Sequence, residues 1–406
     1  MNFTPMSELP PSTKASYESL PAYKFSYDDG YYSKKFFSPF MPTGGMLRTL
    51  TTMTTQRMST SSSALNVTNI HGVEIRNNGV RYLFGYHADQ QGSARNITEK
   101  SSDDVTAGNI KLQKFFAATM RLAFPKPGKY RIRGIVMMPV SAFQSDVNFK
   151  DNVKQAIVGL HTFEALTGFV DGVPVYEQFE FFVDKIAVLE QPLGALYRVA
   201  LAEDGDYEKF IGQHGLKLRT TFLDWGSGTL DVFTVDNMSE RIDYMSRALP
   251  AGISVMYDAV RQQGLPDGVN PTPLQLEAAI MAGRYQDTRH EKHWTAEALA
   301  NDGFIDLKPY IKNGLDAMWE LAQELFDDTI GLTAEGIHNI FLTGGAAGWM
   351  EPYVLAQFGE RRVFKVLPET PTINPSLPYE HLMRSTDLHL RNAEGGYLYA
   401  QKLPND

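Results

Sequence analysis

Two acidic residues flank a glycine-rich turn in the middle of the chain. In the stretch DWGSGTLD at 224–231, an apolar run ends in Asp224 and the next strand-forming run begins near Asp231. Gly226 and Gly228 would let the backbone approach a phosphate group closely, because no side chain stands in the way. The two carboxylates suit a hydrated divalent cation, which keeps several waters between itself and the protein. The pattern predicts a turn that binds phosphate and metal-bound water, with a purely structural turn as the alternative.

A similar acidic turn occurs once before, in the stretch DDGYYSKK at 28–35. Its backbone N–H groups could form a phosphate-binding nest, and Lys35 on the returning strand could supply positive charge. Asp28 would repel a phosphate, so we expect it beside the water shell of a divalent cation. A surface hairpin with charged residues at its tip is the alternative.

A strand that runs through two glycines into a helix is predicted at FLTGGAAG, residues 341–348. The N–H groups at a helix start attract anions, and the flat glycine surface would accommodate a nucleoside. Many α/β turns are glycine-rich, so this motif is weak by itself.

The stretch LEQPLG at 189–194 ends an apolar run and begins a predicted helix, with Pro192 in its first turn. The side chain of Glu190 or of Gln191 could orient an attacking water there. Helix capping is the alternative role for both.

These motifs sit in a similar order of elements in each half of the chain. The first half contains a predicted strand–turn–strand at 23–37, a helix at 108–124, a buried strand and a helix at 148–160. The second half opens with a strand–turn–strand at 217–235 and continues with helices and strands. This duplication of architecture predicts an α/β protein with two similar lobes and a cleft between them.

Two segments lack such periodicity. Residues 1–20 carry Pro, Ser and Thr with few apolar residues, and are predicted to form a disordered arm. Residues 41–63 are rich in Thr, Ser and Met, and are predicted to form a flexible insertion.

Composition and charge disfavour several classes of function. The 406-residue chain has 38 basic and 47 acidic residues, a formal charge of −9, so direct binding to nucleic acid is disfavoured. Its Cys count is 0, which removes disulfides, thiolate metal sites and Cys nucleophiles. Its apolar runs are shorter than the ~18 residues that a membrane span requires, and its start does not resemble a signal peptide. We therefore expect a cytoplasmic protein.

The order of the four motifs resembles that of the actin and sugar-kinase ATPase superfamily, and within it the bacterial actin-like ParM proteins of plasmid segregation. Three further stretches resemble that branch: VRYLFGYHA, IRGIVMMPVSAF and NAEGGYLYAQ. The resemblance extends from Tyr23 to Lys402. It departs from the family at Tyr31 and Tyr32, where actins prefer small residues, and in the third motif, which has the sequence GGAA rather than GGG.

The resemblance implies an α/β, actin-like, two-lobed fold of duplicated ribonuclease-H-like domains with a central nucleotide cleft. The lobes would be 21–205 and 206–385, and residues 386–406 would return to the first lobe. ATP (or GTP) and Mg²⁺ would bind in the cleft, where the γ-phosphate would be hydrolysed. The protein would assemble head to tail into nucleotide-dependent filaments. A small DNA-binding adaptor on a centromere-like site would couple the filament to plasmid or phage DNA.

The same resemblance assigns the site residues. The catalytic residues would be Glu190, Gln191, Asp224 and Asp231, and the metal would be held through water by Asp28 and Asp224. The nucleotide-binding residues would be Asp29, Gly30, Tyr31, Tyr32, Ser33, Lys35, Gly226, Ser227, Gly228, Thr229, Gly344, Gly345 and Ala346.

Other functions remain open from the sequence. A non-polymerising assembly ATPase would share every motif, since filament contacts are surface features without motifs. A small-molecule kinase of the same superfamily would need a substrate pocket, and we find no sugar-binding cluster. A DnaK-type chaperone would need a β-rich substrate domain after the ATPase motifs.

Overall fold

The computed structural model describes residues 2–30, 33–48, 54–57, 72–77, 80–85, 110–201, 219–237, 240–265, 269, 271, 273–286, 303–360, 362–366 and 387–404. Contacts divide the chain into two compact units. The first unit comprises Met1–Tyr207 and Leu390–Asp406, and the second comprises Glu208–His389. The lobe boundaries predicted at 206 and 386 fall within 202–218 and 367–386, which lie outside the described residues.

The strands are β1 (Asn2–Pro5), β2 (Ala22–Asp29), β3 (Ser33–Ser38), β4 (Met41–Arg48), β5 (Thr54–Arg57), β6 (Gly72–Asn77), β7 (Val80–Gly85), β8 (Gly128–Met138), β9 (Gly159–Val170), β10 (Val173–Glu190), β11 (Arg219–Trp225), β12 (Leu230–Asp236), β13 (Glu240–Arg241), β14 (Arg247–Leu249), β15 (Arg284–Gln286), β16 (Phe304–Asp306), β17 (Asn339–Thr343) and β18 (Val363–Lys365). The α-helices are α1 (Pro11–Glu18), α2 (Ile110–Ala123), α3 (Val140–Ser145), α4 (Phe149–Ile157), α5 (Gln191–Leu201), α6 (Ser254–Gln263), α7 (Pro273–Ala282), α8 (Lys308–Thr329), α9 (Ala347–Phe358) and α10 (Arg391–Lys402). Short 3-10 helices occupy Met6–Glu8, Asp243–Met245 and Asp387–Leu390.

Ten described strands form the sheet of the first unit, in the order β4-β3-β2-β8-β10-β9-β6-β7-β5, with β1 beside β9. The central strands β2, β8 and β10 are parallel to one another. Helices α2 and α4 pack into the main core with these strands, and α10 packs into a separate cluster with Phe37, Ile135 and Met137. Burial on both faces explains why the end of β8, Ile135–Met138, is a continuous apolar run.

The helix predicted at 108–124 is confirmed as α2. Its predicted apolar face is buried at Leu112, Phe115, Phe116, Met120 and Ala123. A helix with apolar residues at this spacing must bury that stripe, and the first unit's sheet provides the surface.

Six described strands form the main sheet of the second unit, in the order β13-β12-β11-β17-β18, with β14 beside β12. Strand β11 is antiparallel to β12 and parallel to β17. One core joins these strands to helices α6, α7, α8 and α9. The helices predicted near 249–263, 272–283 and 306–327 are confirmed as α6, α7 and α8.

The predicted disordered arm at 1–20 is wrong for the residues described there. β1 pairs antiparallel with β9, from Asn2 opposite Thr162 to Pro5 opposite Gly159. Further along, Tyr17 of α1 stacks on Phe182 with ring centroids 5.2 Å apart. The segment has weak local periodicity, but the open edge of β9 and the Phe182 face hold it in place.

The predicted flexible insertion at 41–63 is also wrong where it is described. β4 continues antiparallel from β3, and β5 pairs with β7. Thr is a good strand former despite its polarity. Gly45 lies against an aromatic ring, since a Cβ added there would be 2.4 Å from Phe36. Residues 49–53 and 58–63 lie outside the described residues.

A buried histidine on β9 makes the first unit sensitive to acid. The ring of His161 lies 4.7 Å from Phe3 and 5.2 Å from Phe116 between centroids. Its Nε2 lies 2.7 Å from the carbonyl oxygen of Ile157. Burial lowers the pKa of His161 to about 4 because the charged form loses its hydration. The unfolded chain takes up this proton near pH 6.5, so the stability that depends on neutral His161 is present above that pH and is lost as pH falls toward 4.

Between pH 7 and pH 4.5, the free energy of unfolding should fall by about 2–3 kcal/mol less in His161→Gln than in the parent protein. Gln keeps a donor for Ile157 and does not titrate. Urea denaturation at the two pH values measures the difference, and His338→Gln, at an exposed position, is the control. An unchanged pH dependence in His161→Gln would contradict the burial of a neutral imidazole.

Candidate functional site

Two of the predicted motifs meet at Asp28, the penultimate residue of β2. Its carboxylate is fully buried. Asp28 Oδ2 accepts a hydrogen bond from Lys35 Nζ at 3.0 Å, and Oδ1 accepts one from Gln191 Nε2 at 2.6 Å. Lys35 lies directly opposite on β3, whereas Gln191 is the first residue of α5, 163 residues away in sequence. We call Asp28, Lys35 and Gln191 the Asp28 group.

The other carboxylate of this turn is neutralised locally. Asp29 Oδ1 lies 2.8 Å from Lys34 Nζ and accepts a hydrogen bond from the Tyr27 hydroxyl. Lys34 also donates to the Gly30 carbonyl oxygen at 3.0 Å. Burial, and then the charges of Asp29 and Asp28, raise the pKa of Tyr27 well above its ordinary value, so the phenol stays protonated. The sequence analysis did not single out Tyr27 or Lys34, although they are the immediate sequence neighbours of Asp28 and Lys35.

Gly30 fits the turn because a side chain would not. An added Cβ would lie 2.7 Å from the Ser33 carbonyl oxygen and 2.9 Å from Lys35 Nζ. Ser33 is buried at the start of β3. Tyr31 and Tyr32, also predicted to bind nucleotide, lie outside the described residues.

The structure places Glu190 and Gln191, the two candidates at the β10–α5 junction, in different surroundings. Asp28, Met137 and Leu189 are in register across β2, β8 and β10. Glu190 is one residue further along β10, so strand alternation directs its side chain to the opposite face from Asp28. Gln191 enters the helix instead and contacts Asp28 directly. Glu190 is buried at the end of its strand.

In the second unit, three polar residues form a row across neighbouring strands. Asp224 on β11 is in register with Asp231 on β12 and with Thr343 on β17. All three are buried, with 4%, 1% and 0% of their surface exposed, respectively. Like charges side by side on a sheet are destabilising, so a nearby cation would favour this arrangement. Thr343 Oγ1 has no hydrogen-bond partner among the described residues.

The glycine turn of this unit is held by the segment that leads into α6. The Gly226 carbonyl oxygen accepts from Ile253 N at 3.2 Å, and the Ser227 carbonyl oxygen accepts from Ser254 N at 2.8 Å. Gly252 packs directly on Gly228, because an added Cβ would lie 2.6 Å from its backbone nitrogen. Thr229, half-buried, closes the turn through its carbonyl oxygen, which accepts from the Gly226 N–H at 2.9 Å. The turn therefore has a fixed backbone.

The TGGA turn packs against this hairpin. Gly344 has φ +87°, and an added Cβ would lie 2.4 Å from Asp224 Oδ1. The Ala346 N–H donates to the Trp225 carbonyl oxygen at 2.9 Å. Gly345, between them, is half-buried. The DWGSGTLD and FLTGGAAG motifs are therefore in direct contact.

A close helix crossing positions α5 in the first unit. An added Cβ on Gly395 of α10 would lie 1.8 Å from the Gly194 carbonyl oxygen, and one on Gly194 would lie 2.2 Å from the Asn392 carbonyl oxygen. Because α5 begins at Gln191, this contact also fixes the start of the helix. Sequence reasoning quoted both glycine-containing stretches but did not pair them.

Neither a protein-family model nor a curated protein sequence matches the chain. Solved structures do match it. A 15-stranded ParM filament from Clostridium botulinum aligns over 95% of this chain and 100% of its own, with 15% identity and a TM-score of 0.67. An archaeal actin homologue aligns over 94% of this chain and 100% of its own, with 14% identity and a TM-score of 0.62.

The chain has an actin-like fold. The predicted fold class, α/β and actin-like, is thereby confirmed. The same archaeal homologue in complex with ADP aligns over 94% of this chain and 100% of its own, at 16% identity and a TM-score of 0.58. Within the described part of this actin-like chain, no helix is both long and apolar enough to span a membrane.

Proposed function

We propose that the protein is an actin-like ATPase that hydrolyses ATP (or GTP) with Mg²⁺ and assembles into nucleotide-dependent filaments. The single observation that carries the proposal is the contact between Asp28 and Gln191, which joins the DDGYYSKK and LEQPLG motifs over 163 residues of sequence. Structural neighbours support it: one is named as a ParM filament and another as an ADP complex of an actin homologue.

The residues present fit a hydrated cation. No group of three or more Asp, Glu or His side chains in the described ranges is arranged to bind a metal directly. In this proposal, Asp28 and Asp224 would hold Mg²⁺ through its waters, as such ions usually bind beside phosphates. When bound, Mg²⁺ supplies positive charge against the phosphate oxygens. The buried hydroxyl of Thr343 lies in register with Asp224 and offers one more polar group to that water shell.

The protein's own contribution is positioning and electrostatics, as in other phosphoryl-transfer sites. Gln191, held against Asp28, would orient the attacking water, and Asp231 would act beside Asp224 in polarising it. Glu190 would support the strand end. The phosphates and the nucleoside would be approached by the backbones of four glycines: Gly30, Gly226, Gly228 and Gly344. Lys35 would leave Asp28 and supply positive charge to the phosphoryl oxygens.

Filament assembly would serve DNA segregation through an adaptor. The formal charge of −9 opposes direct contact with a phosphate backbone, so a small DNA-binding protein would link the filament to plasmid or phage DNA. The site of action would be the cytoplasm.

The test combines nucleotide binding with sedimentation. At millimolar ATP and Mg²⁺, micromolar binding should stabilise the protein by a few kcal/mol and raise its melting temperature. The protein should also enter the pellet with ATP and not without it, and electron microscopy should show filaments there. Asp224→Asn should lose both Mg²⁺-dependent effects. The control is Asp236→Asn at the other end of the same hairpin, where Asp236 pairs with Arg219 and both side chains are half-exposed. This variant should retain both effects.

A melting temperature that is unchanged by ATP, GTP and ADP would overturn the proposal. A nucleotide-dependent rise without sedimentation would instead favour the non-polymerising assembly ATPase.

A further inference from the structure

A strip of basic residues crosses the sheet of the first unit, away from the Asp28 group. Lys24 on β2, Arg133 on β8 and Lys185 on β10 are in register across three neighbouring strands. Arg131 lies two residues before Arg133, on the same face of β8. We call these four residues the basic strip. Like charges opposite one another on a sheet are destabilising, so such a row needs an anionic counterpart.

One carboxylate within the chain supplies part of that counterpart. Asp184 Oδ2 lies 2.6 Å from Arg131 Nη2 and 2.5 Å from Arg133 Nη2. The pKa of Asp184 is lowered by these two arginines, against the opposing effect of burial. Two guanidinium groups therefore share one negative charge, and Lys24 and Lys185 are left without a carboxylate partner in the described part of the chain.

The contacts of Lys24 are with neutral groups. Lys24 Nζ donates to the carbonyl oxygens of Leu403 and Pro404, both at 3.1 Å. Burial, followed by repulsion from Arg133 and Lys185, lowers the pKa of Lys24. Lys185 is exposed. Within the described residues, the carboxylate of Asp184 pairs with two of the strip's four cations, in a protein whose formal charge is −9.

An apolar cavity adjoins the strip. It has a volume of about 920 Å³ and is lined by Asp184 and Lys185, which connect it to the strip. Its apolar lining comes from Phe3, Met6, Val158 and Ile186. A space of this size accommodates several aliphatic side chains.

A strand edge borders the same cavity. β9 begins at Gly159, opposite Val183 of β10. From Asp184 onward, the only strand that pairs with β10 in the described residues is β8. An extended peptide could therefore lie along Asp184–Ile186, as peptides do when they add to a sheet edge.

We propose that the basic strip and its cavity bind an extended acidic–aliphatic segment of a partner protein. The cavity would take aliphatic side chains, and Lys24 and Lys185 would pair with carboxylates next to them. Charge complementarity favours an acidic peptide over nucleic acid, because four cations on a protein of charge −9 give little attraction for a long phosphate backbone. This site lies outside the residues of the proposed ATPase and does not depend on that function.

The test uses a random dodecapeptide library displayed on phage and selected on the full-length protein. We expect the selected peptides to combine Asp or Glu with Leu, Ile or Val. Synthetic copies should bind Lys185→Glu about tenfold more weakly, equivalent to about 1.4 kcal/mol. Ser7→Trp, which adds bulk at an exposed position in the cavity lining, should weaken binding similarly without changing charge.

The matched control is Lys126→Glu, the same charge reversal at another exposed lysine of the first unit. It should bind the peptides within about twofold of the parent. Circular dichroism and melting temperature establish that the three variants fold. Peptides that bind the parent and Lys185→Glu equally, or a selection that yields no binder, would overturn the proposal. Sedimentation with anionic lipid vesicles that is lost in Lys185→Glu, without peptide binding, would assign the strip to a membrane surface and also overturn it.

Discussion

Asp28→Asn is expected to destabilise the first unit by about 3 kcal/mol, because it leaves the Lys35 ammonium partly buried without its counter-charge. Lys35 has 12% of its side chain exposed, and Asp28 has none. Asn keeps a carbonyl oxygen that can accept from Gln191 Nε2, so the loss comes from the ion pair. Lys35→Met alone should also destabilise, because it leaves Asp28 as an unpaired buried carboxylate.

The double variant Asp28→Asn with Lys35→Met separates stability from activity. Removing both charges should recover most of the lost stability, since a buried ion pair is often worth no more than apolar side chains of similar size. Nucleotide turnover should be absent both in Asp28→Asn and in the double variant, because both lack the carboxylate proposed for the metal's waters. Urea denaturation followed by circular dichroism measures the first quantity, and phosphate release measures the second. Recovery of turnover in the double variant would show that Asp28 has only a structural role.

Gly395→Ala is expected to destabilise the protein by about 3 kcal/mol or more. The new Cβ would lie 1.8 Å from the Gly194 carbonyl oxygen and 2.5 Å from the Arg198 nitrogen. Both are backbone atoms of α5, so the clash cannot be relieved by rotating a side chain and requires α5 and α10 to separate.

Gly348→Ala is the control for that variant. Gly348 is also helical, in α9, and an added Cβ there would meet nothing within 4 Å. Helix propensity alone favours Ala over Gly by about 1 kcal/mol, so Gly348→Ala should be neutral or stabilising. The denaturation midpoint should therefore fall in Gly395→Ala and should stay unchanged or rise in Gly348→Ala. A stability of Gly395→Ala equal to that of the parent would contradict the close crossing.

The elements with a strong local pattern could be predicted from the sequence. α2 has apolar residues at helical spacing, and the hairpin at 219–236 has two apolar runs around glycines, so each carries its own signal. β1 and α1 carry no such signal. Their order comes from β9 and Phe182, which are more than 140 residues away in sequence. Tertiary contacts of this kind are invisible to a reading of local composition.

The site shows the same division. Asp28 and Asp224 were predicted because carboxylates beside glycine turns suit metal-bound water, and Gln191 because it stands at a strand–helix junction. The contacts of Asp29 with Lys34 and Tyr27 were not predicted. The sequence alone does not show which charged residues of a short hairpin pair with one another. Thr343 lies within the FLTGGAAG motif, but the sequence does not show that its buried hydroxyl stands beside Asp224. That position follows from the register of β11 with β17.

The first unit consists of two separate parts of the chain, and this affects when the unit can fold during translation. About 180 residues, from Glu208 to His389, are translated between α5 and α10. At about 5–20 residues per second, a ribosome needs roughly 10–40 s for that stretch. During this interval α5 lacks α10, the helix whose Asn392 and Gly395 approach Gly194 in the folded unit. Translation order therefore delays the complete first unit, and with it the close crossing of α5 and α10, until α10 has been synthesised.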